Sequence, residues 1–312
     1  MKRMLKPFVD AFVYGIVMLL AVLARRLSLE SVYRLGEKVG VWLYECVKLR
    51  RQLVETNLRL AFPEKSDTER SRLARQVYVE QAQSLLEVMR APLIRSKADA
   101  EQIFEVENLA LAEHCYAEGK GAVVVSAHFG NWELAAMCWA LLAKPCVIVY
   151  KPFSNKWLEK QMLAWRTLSG NEFISMNDAP KLGLRRLREG KFLVLLSDQA
   201  AHSDDYFTTF LGRQSAIFLG AAVFALRTKV PMMLSMARRI GVGRHRLELS
   251  EIKTDDLVFS PDSIKLLAER YTRAIEDYIR RYPEQWFWLH NRWKRTPPQK
   301  TEPTITEAAR QP

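Results

Sequence analysis

The spacing of apolar residues changes near residue 100, from a helical period to an alternation of short strands and helices. Before that point, apolar positions recur at helical spacing over 29–47, 50–61 and 66–89. The string Ser66-Asp67-Thr68-Glu69 is a capping box, in which the two outer side chains satisfy free N–H groups at a helix start. Residues 28–91 are therefore predicted to be helical and to cover one side of a sheet.

From residue 103 onward, short apolar runs alternate with helical segments that end at Gly. Gly119, Gly170 and Gly190 each follow a predicted helix, where Gly readily adopts the conformation that ends it. This alternation is typical of the α/β class, with a largely parallel mixed sheet covered by helices. The predicted strands are 103–106, 122–126, 146–150, 173–176, 192–197, 232–237 and 246–252, and the predicted helices are 108–118, 132–143, 155–169, 178–189 and 262–281.

The N-terminal segment 8–24 is mostly apolar, interrupted by Asp10 and Gly15, and has Lys and Arg residues on both sides. A full membrane span needs about 20 residues, so this segment is short for crossing a bilayer. It lacks a small-residue cleavage site, which argues against a removed signal peptide. Residues 1–27 are predicted to be an uncleaved membrane anchor, either a short tilted span or a helix lying in the interface. A buried core helix is the alternative.

The remaining chain is long enough to bury a substantial core. We predict one domain over residues 28–295, with a helical part at 28–91 and an α/β catalytic part at 100–295. Residues 296–312 are polar and contain proline, and are predicted to be disordered.

A net charge of +12 on a chain that is 49% hydrophobic favours anionic partners. The candidates are nucleic acid, acidic membrane lipid and an acidic protein. Nucleic acid is the weakest, because the sequence contains no recognisable nucleic-acid-binding motif. Between Lys144 and Lys191 the chain has ten Lys or Arg residues against four Asp or Glu residues. Such a run is either a binding surface or an ordinary solvated helix surface.

The four cysteines, Cys46, Cys115, Cys138 and Cys146, form no C-x-x-C pair. They are predicted to be reduced thiols, and neither a metal site nor a disulfide framework is expected. The chain also has no Walker loop and no G-x-G-x-x-G string, so the sequence gives no support for a nucleotide cofactor.

The most informative chemistry follows the apolar run 122–125, where His128 and Glu133 stand five positions apart. Five helical positions correspond to about 500°, so the two side chains do not share a helix face. His128 is therefore expected in the turn, with Asn131 capping a helix that begins at Trp132. Glu133 is then predicted to reach back to one imidazole nitrogen, so that the other accepts a proton. A satisfied core histidine is the alternative.

No Gly-x-Ser-x-Gly nucleophile is present, so the attacking hydroxyl has to come from a substrate. This indicates group transfer onto an alcohol. Asp198 directly follows the predicted strand 192–197, at the sheet edge where open α/β sheets place function. A plain turn-forming Asp is the alternative for this residue.

Histidine and a carboxylate in the pattern His-x4-Glu after a strand resemble the first motif of the glycerolipid acyltransferase superfamily. The string HFGNWE, residues 128–133, is similar to that of its bacterial lipid A branch, the lauroyl/myristoyl acyltransferases. Further blocks agree in order over roughly residues 8–295. They are Tyr150-Lys151-Pro152 with Asn155, Arg166 and Gly170; Leu195-Leu196-Ser197-Asp198-Gln199; and Pro283-Glu284-Gln285-Trp286-Phe287-Trp288-Leu289-His290-Asn291-Arg292-Trp293-Lys294.

The resemblance implies a role for each matching residue. His128 would be the general base that deprotonates a hydroxyl as it attacks an acyl thioester, and Glu133 would orient it. Asp198 and Gln199 would help to form the active site, and Arg166 would hold a phosphate or the substrate. For the oxyanion, either N–H groups at the start of the Trp132 helix or the Asn131 amide are expected to act as donors.

The activity implied is acyl transfer from an acyl carrier protein or coenzyme A thioester to a hydroxyl of a lipid A precursor, as in the secondary acylation of lipid A biosynthesis, where the hydroxyl belongs to a 3-hydroxyacyl chain that is already attached. It implies anionic inner-membrane lipid as a partner, a catalytic domain on the cytoplasmic face, and no metal or redox cofactor. Another glycolipid or a lysophospholipid is the alternative acceptor. A catalytically silent protein that binds the membrane surface is the rival from another class, and a hydrolase is the intermediate case.

Two other stretches carry expectations. The aromatic and basic segment 286–294 is predicted to be an amphipathic helix on the core, a membrane-interface segment, or both. The stretch 200–216 departs from the family pattern and is expected to shape the acyl or acceptor pocket.

Overall fold

A seven-stranded mixed sheet lies at the centre of the structure, a computed structural model that describes residues 2–201, 206–295 and 297. The strands are β1 Phe104–Glu107, β2 Ala122–Ser126, β3 Val147–Tyr150, β4 Glu172–Ser175, β5 Phe192–Leu196, β6 Phe207–Phe210, β7 Arg213–Ala216, β8 Met232–Gly241 and β9 Arg244–Ile252. The strand order in the sheet is β1-β9-β8-β2-β5-β3-β4, and every neighbouring pair is parallel except β8 with β9. The predicted α/β class with a largely parallel sheet is confirmed.

Helices cover both faces of this sheet, and most of them lie where the apolar spacing placed them. They are α1 Lys2–Arg26, α2 Leu29–Trp42, α3 Arg51–Ala61, α4 Asp67–Arg90, α5 Lys97–Ile103, α6 Leu109–Ala117, α7 Trp132–Leu142, α8 Lys156–Arg166, α9 Ala179–Arg188, α10 Gly220–Thr228 and α11 Pro261–Arg281. A short π-helix, Leu43–Val47, continues α2. The predicted capping box at Ser66 is present, with both reciprocal hydrogen bonds.

Each face of the sheet buries a separate apolar core. Val123 and Val125 of β2 face one cluster, which also contains buried residues of α10 and α11. Ala122 and Val124 face the other cluster, with residues of α7 and the end of α4. Because successive side chains of a strand point to opposite faces, an unbroken apolar run such as that of β2 is typical of a strand buried on both sides.

The N-terminal helix α1 is long and apolar enough to cross a membrane by length and composition. It packs on the domain through one face, where Ala21 and Ala24 are fully buried and Arg25 Nε donates to Met89 O at 2.8 Å. Its other face is apolar and exposed, with Phe8 74% accessible. The alternative of a buried core helix is therefore wrong, whereas membrane anchoring stays a prediction.

The segment after α11 does not form the predicted amphipathic helix. A short 3₁₀ turn, Pro283–Gln285, leads into an irregular segment in which Trp286, Trp288 and Trp293 are buried. The side chains of Trp286 and Trp288 are at most 1% exposed, so these indoles fill the core and do not lie at a membrane interface.

Two expectations fall on parts of the chain that the structure leaves out. Of the tail 296–312, predicted to be disordered, only residue 297 is described. Within the stretch 200–216, residues 202–205 lie outside the described residues, and the remainder includes the antiparallel hairpin of β6 and β7.

Candidate active site

The register of two parallel strands brings His128 and Asp198 together. Ser126, the last residue of β2, is paired with Leu196, the last residue of β5. His128 and Asp198 each stand two residues beyond these ends, at the carboxyl edge of the sheet. Open α/β sheets bind ligands at this edge. Asp198 thus lies at the sheet edge where its position after the strand placed it, and its part in an active site stays a prediction.

The Asp198 carboxylate holds His128 by two contacts. Its Oδ1 lies 2.8 Å from Nδ1 of the imidazole, and its Oδ2 accepts the main-chain N–H of His128 at 3.1 Å. Oδ2 also accepts the indole N–H of Trp286 at 2.7 Å. Burial would raise the pKa of Asp198, but the charge of His128 and these hydrogen bonds outweigh burial and lower the pKa below its ordinary value.

An ionised carboxylate only accepts hydrogen bonds, so Nδ1 of His128 carries its proton toward Asp198. Nε2 is then left as the basic nitrogen of the ring. The imidazole is partly accessible, with 21% of its side-chain surface exposed, whereas Asp198 is 1% exposed. In this arrangement the orienting carboxylate is shielded from solvent, and the histidine remains accessible to a substrate.

Glu133 does not make the contact that its spacing from His128 suggested. Its two carboxylate oxygens accept from Arg166, with Nε of Arg166 2.9 Å from Oε2 and Nη2 bonded to Oε1. The carboxylate that holds the imidazole is thus Asp198 and not Glu133, and this part of the prediction is wrong. The register of β2 with β5, which are distant in sequence, decides which carboxylate contacts the His128 imidazole.

Arg166 is 6% exposed, so it is buried and is not a solvent-facing residue of α8. Its guanidinium lies 5.5 Å from the ring centroids of Tyr150 and Phe173 and 5.6 Å from that of Phe153. Nη1 is buried and has no hydrogen-bond partner among the described residues. A buried donor of this kind is one that a substrate oxygen can satisfy.

The segment 285–287 fixes the turn that carries His128. Gly130 N donates to Gln285 O at 2.8 Å, and Phe287 N donates to His128 O at 2.9 Å. Gly130 has φ of +56°, and a Cβ there would lie 1.8 Å from Ala237 O. No other residue fits that position without displacing the neighbouring strand, so the tight turn requires the glycine.

Asn131 caps α7 as predicted, because its Oδ1 accepts the N–H of Leu134 at 3.1 Å. Its amide hydrogens are both engaged, by Ser84 O at 3.2 Å and by Glu87 Oε2 at 2.8 Å. The side chain is buried at 1% exposure. The expectation that this amide is available to a substrate oxyanion is therefore wrong.

Glu87 connects this cap to a buried polar network that sequence reasoning missed. Besides Asn131, it contacts Nη2 of Arg239 and Nε2 of His245, each at 2.9 Å, and accepts from the Tyr33 hydroxyl. Burial would raise the pKa of Glu87, but the hydrogen bond and charge of His245 and the charge of Arg239 outweigh it and lower the pKa to about 2. A glutamate among apolar positions of α4 was the available signal.

We expect Glu87→Ala to lower the free energy of unfolding by about 3–5 kcal/mol, because it removes the buried carboxylate that contacts His245 and leaves the buried Arg239 with one acidic partner instead of two. Since the folded-state pKa is depressed, this contribution is present above pH 4.5, the ordinary value, and is lost as the pH falls toward 2. Unfolding of both proteins in detergent at a series of pH values measures the difference. Glu80→Ala is the matched control, since Glu80 also contacts Arg239 but keeps 21% of its side chain exposed. An equal decrease in the free energy of unfolding for the two variants would contradict a larger contribution of Glu87 than of Glu80 to stability.

Aromatic rings flank the imidazole. The ring centroid of His128 lies 5.2 Å from that of Trp132 and 6.3 Å from that of Phe287. Gln199, the last predicted site residue, follows Asp198 directly and is partly exposed. Among the described residues, no group of three or more His, Cys, Asp or Glu residues is placed to hold a metal ion.

Two polar residues of the closing segment, the partly buried His290 and the buried Arg292, were not among the predicted site residues. Burial lowers the pKa of His290 to about 4 and that of Arg292 to about 10. Arg292 is 1% exposed, and its Nη1 donates to Ala216 O at 2.9 Å. Their position in the string matched by the resemblance was the only signal for them.

A partly exposed histidine oriented by a buried aspartate at the carboxyl edge of a parallel sheet is an arrangement of α/β enzymes that move a proton during group transfer. The family described as bacterial lipid A biosynthesis acyltransferase matches residues 2–295, and the chain belongs to that family. The resemblance seen in HFGNWE is confirmed.

Three curated relatives agree with this assignment. The lipid A biosynthesis lauroyltransferase of Escherichia coli (strain K12) is 26% identical over 279 residues, which cover 87% of this chain and 88% of the relative. The palmitoleoyltransferase of the same organism is 24% identical over 266 residues, covering 84% and 85%. The myristoyltransferase is 24% identical over 261 residues, covering 81% and 77%.

Proposed function

We propose that this protein transfers a fatty acyl group from a thioester to a hydroxyl of a lipid A precursor. The observation that carries the proposal is the His128–Asp198 pair, with Nδ1 and Oδ1 2.8 Å apart, in a chain of the lipid A acyltransferase family. The named relatives are lauroyl-, myristoyl- and palmitoleoyltransferases of lipid A biosynthesis, which supports a fatty acyl donor and this class of acceptor.

His128 acts as the general base in this reaction. Its Nε2 removes the proton of the acceptor hydroxyl as that oxygen attacks the thioester carbonyl. The tetrahedral intermediate collapses, the carbon–sulfur bond breaks, and the imidazolium returns its proton to the thiolate. Asp198 orients the ring and stabilises the imidazolium, because the carboxylate stays ionised beside it.

Two sets of donors are suited to the oxyanion. The N–H groups of Trp132 and Glu133 lie in the first turn of α7, where intrahelical partners are lacking. Nη1 of Arg166 is the buried donor without a described partner. In this mechanism Glu133 acts through Arg166: it fixes the guanidinium by two hydrogen bonds instead of orienting the histidine.

The donor is proposed to be an acyl carrier protein thioester, with acyl coenzyme A as the alternative. The stretch 144–191 has ten basic against four acidic residues and includes α8 and α9, which follow strands of the active-site edge. Three of its cations, Arg166, Arg185 and Arg186, form ion pairs with carboxylates. A basic surface of this kind suits an acidic carrier protein, because complementary charge steers association.

The acceptor is proposed to be a hydroxyl on an acylated lipid A precursor at the cytoplasmic face of the inner membrane. Anionic lipid at that surface suits the net charge of +12, and α1 is apolar enough to anchor the chain. Another glycolipid or a lysophospholipid is the alternative acceptor, since the same base removes a proton from any hydroxyl presented to it.

The test is acyl transfer by the full-length protein purified in detergent. Labelled acyl carrier protein and acyl coenzyme A thioesters are offered separately with a tetra- or penta-acylated lipid A precursor or a lysophospholipid, and products are identified by mass spectrometry. We expect a lipid A product that is one acyl chain heavier, formed faster from the carrier protein. Free fatty acid without acylated lipid would show a hydrolase, and transfer only to lysophospholipid would overturn the proposed acceptor.

A further inference from the structure

Helix α1 is attached to the domain along most of its length by one face. Near its start, Asn155 Nδ2 donates to Asp10 O at 2.9 Å, and in the middle the ring of Tyr14 lies edge-on to that of Trp157, with centroids 5.6 Å apart. Near its end, Arg25 donates to the main chain at the end of α4. The helix is thus held beside α8 and does not project away from the domain.

Another face of α1 carries an apolar stripe, whose members recur every three or four residues. At the start of α8, where it meets α1, Phe153 is 40% and Trp157 is 55% exposed. Together they are called the membrane face, which consists of Phe8, Phe12, Ile16, Leu19 and Leu23 of α1 with Phe153 and Trp157.

We infer that α1 lies in the plane of the membrane interface, with the start of α8 as a second point of contact, and does not cross the bilayer. Lys151, Lys156 and Lys160 are exposed and stand within a few positions of Phe153 and Trp157 in the same segment of the chain. Interfacial helices combine an apolar face with basic residues at the level of anionic head groups, and indoles such as Trp157 prefer that level.

A crossing helix conflicts with the packing of α1. Because α8 runs beside it, a span would carry the exposed cations Lys156 and Lys160 into the hydrocarbon, where a charged side chain is unfavourable. An in-plane helix leaves both cations in the head-group layer and still buries the apolar stripe. The packing contacts therefore decide between the two membrane arrangements that length and composition leave open.

The membrane face also adjoins the candidate active site. Phe153 lies on the segment that follows β3 at the carboxyl edge of the sheet, and its ring centroid is 5.6 Å from the Arg166 guanidinium. Arg166 in turn binds Glu133 of the active-site helix. A lipid in the adjacent leaflet thus lies close to the catalytic edge. The inference depends on the proposed function only for the membrane location.

The first test is the side of the membrane from which a thiol at position 6 is labelled. In a background with Cys46→Ser and Cys115→Ser, Lys6→Cys and Glu64→Cys are compared with an impermeant maleimide in sealed right-side-out and inverted vesicles. Glu64 is exposed on the domain and reports the domain's side. We expect both thiols to label from the same side. Labelling of Lys6→Cys from the opposite side, or from neither, would overturn the inference.

The second test measures contact of the α8 start with lipid. An environment-sensitive fluorophore on Phe153→Cys, in the same background, is expected to be quenched at least about twofold by phospholipids brominated near the head group, because interfacial helices enter about 5–10 Å into this layer. Phe259→Cys is the matched control: Phe259 is 54% exposed but follows β9 at the opposite edge of the sheet. Equal quenching at both positions, or none at Phe153→Cys, would contradict the proposed surface.

Neither measurement requires catalysis, so its outcome is separate from that of the transfer assay. An inactive protein with same-side labelling would overturn the proposed reaction and leave the in-plane helix standing. The alternative occupant of the stripe is a second copy of the chain. In that case Phe12→Cys in the same background will form a disulfide between copies, and the fluorophore on Phe153→Cys will not be quenched. This pair of results would also overturn the inference.

Discussion

Replacing His128 by alanine is expected to reduce kcat/KM for acyl transfer by at least about 100-fold, the lower end of what a positioned general base contributes. Asp198 already holds Nδ1 at 2.8 Å, so the ring is oriented before substrate arrives. Without the imidazole, no other described group in this position removes the hydroxyl proton as the oxygen attacks. Initial rates with labelled acyl carrier protein thioester and the lipid A precursor measure the loss.

His114→Ala is the matched control, because His114 keeps 74% of its side chain exposed on α6, outside the candidate site. It is expected to retain the wild-type rate, and unfolding measurements on both variants show whether His128→Ala remains folded. Full activity of a folded His128→Ala protein would overturn the proposed base and leave only the family assignment.

Regular elements were predictable because their signals are local. The run 122–125 is an unbroken apolar stretch before Ser126, and β2 occupies residues 122–126. Gly119, Gly170 and Gly190 adopt positive φ after helices, where the lack of a Cβ is an advantage. The hairpin of β6 and β7 was missed, because its four-residue strands, FTTF and RQSA, lack the alternation of apolar and polar residues that marks a half-buried strand.

Contacts within the site were harder to predict, because they depend on strand order and register. His128 and Asp198 are 70 residues apart in sequence. They are in contact only because β2 and β5 are adjacent and in register. Proximity in sequence favoured Glu133, which the fold pairs with Arg166 on α8. Local spacing and the family resemblance therefore identified which residues gather at the site, and tertiary structure decided which of them touch.

The structure of the closing segment 286–294 was also not predictable from local sequence. Its tryptophans and basic residues have a composition that membrane interfaces and protein cores share. In the structure, the indole N–H of Trp286 donates to Asp198. The main chain of Gln285 and Phe287 forms hydrogen bonds with the turn that carries His128. Composition cannot distinguish these uses, because the deciding factor is whether the indole N–H finds a buried acceptor.

Asp198→Asn is expected to lower kcat by about two to four orders of magnitude, with a smaller effect on KM. The amide keeps the size of the side chain but removes the charge that stabilises the imidazolium. It also permits an N–H to face Nδ1, which favours the wrong tautomer of His128. Steady-state kinetics over a range of both substrates separate kcat from KM, and unfolding measurements verify that this buried site tolerates the amide.

Glu133→Gln and Arg166→Gln, singly and together, discriminate between the two carboxylates. Since the structure pairs these residues, the double variant is expected to lose little more than the worse single variant, whereas Glu133→Gln and Asp198→Asn are expected to act on different parts of the site. If Asp198→Asn is mild and Glu133→Gln alone abolishes kcat, Glu133 is the residue that orients His128 during turnover. The Glu133–His128 contact predicted from the sequence spacing would then form during the reaction. The Glu133–Arg166 ion pair would be the arrangement of the substrate-free enzyme, and substrate binding would break it.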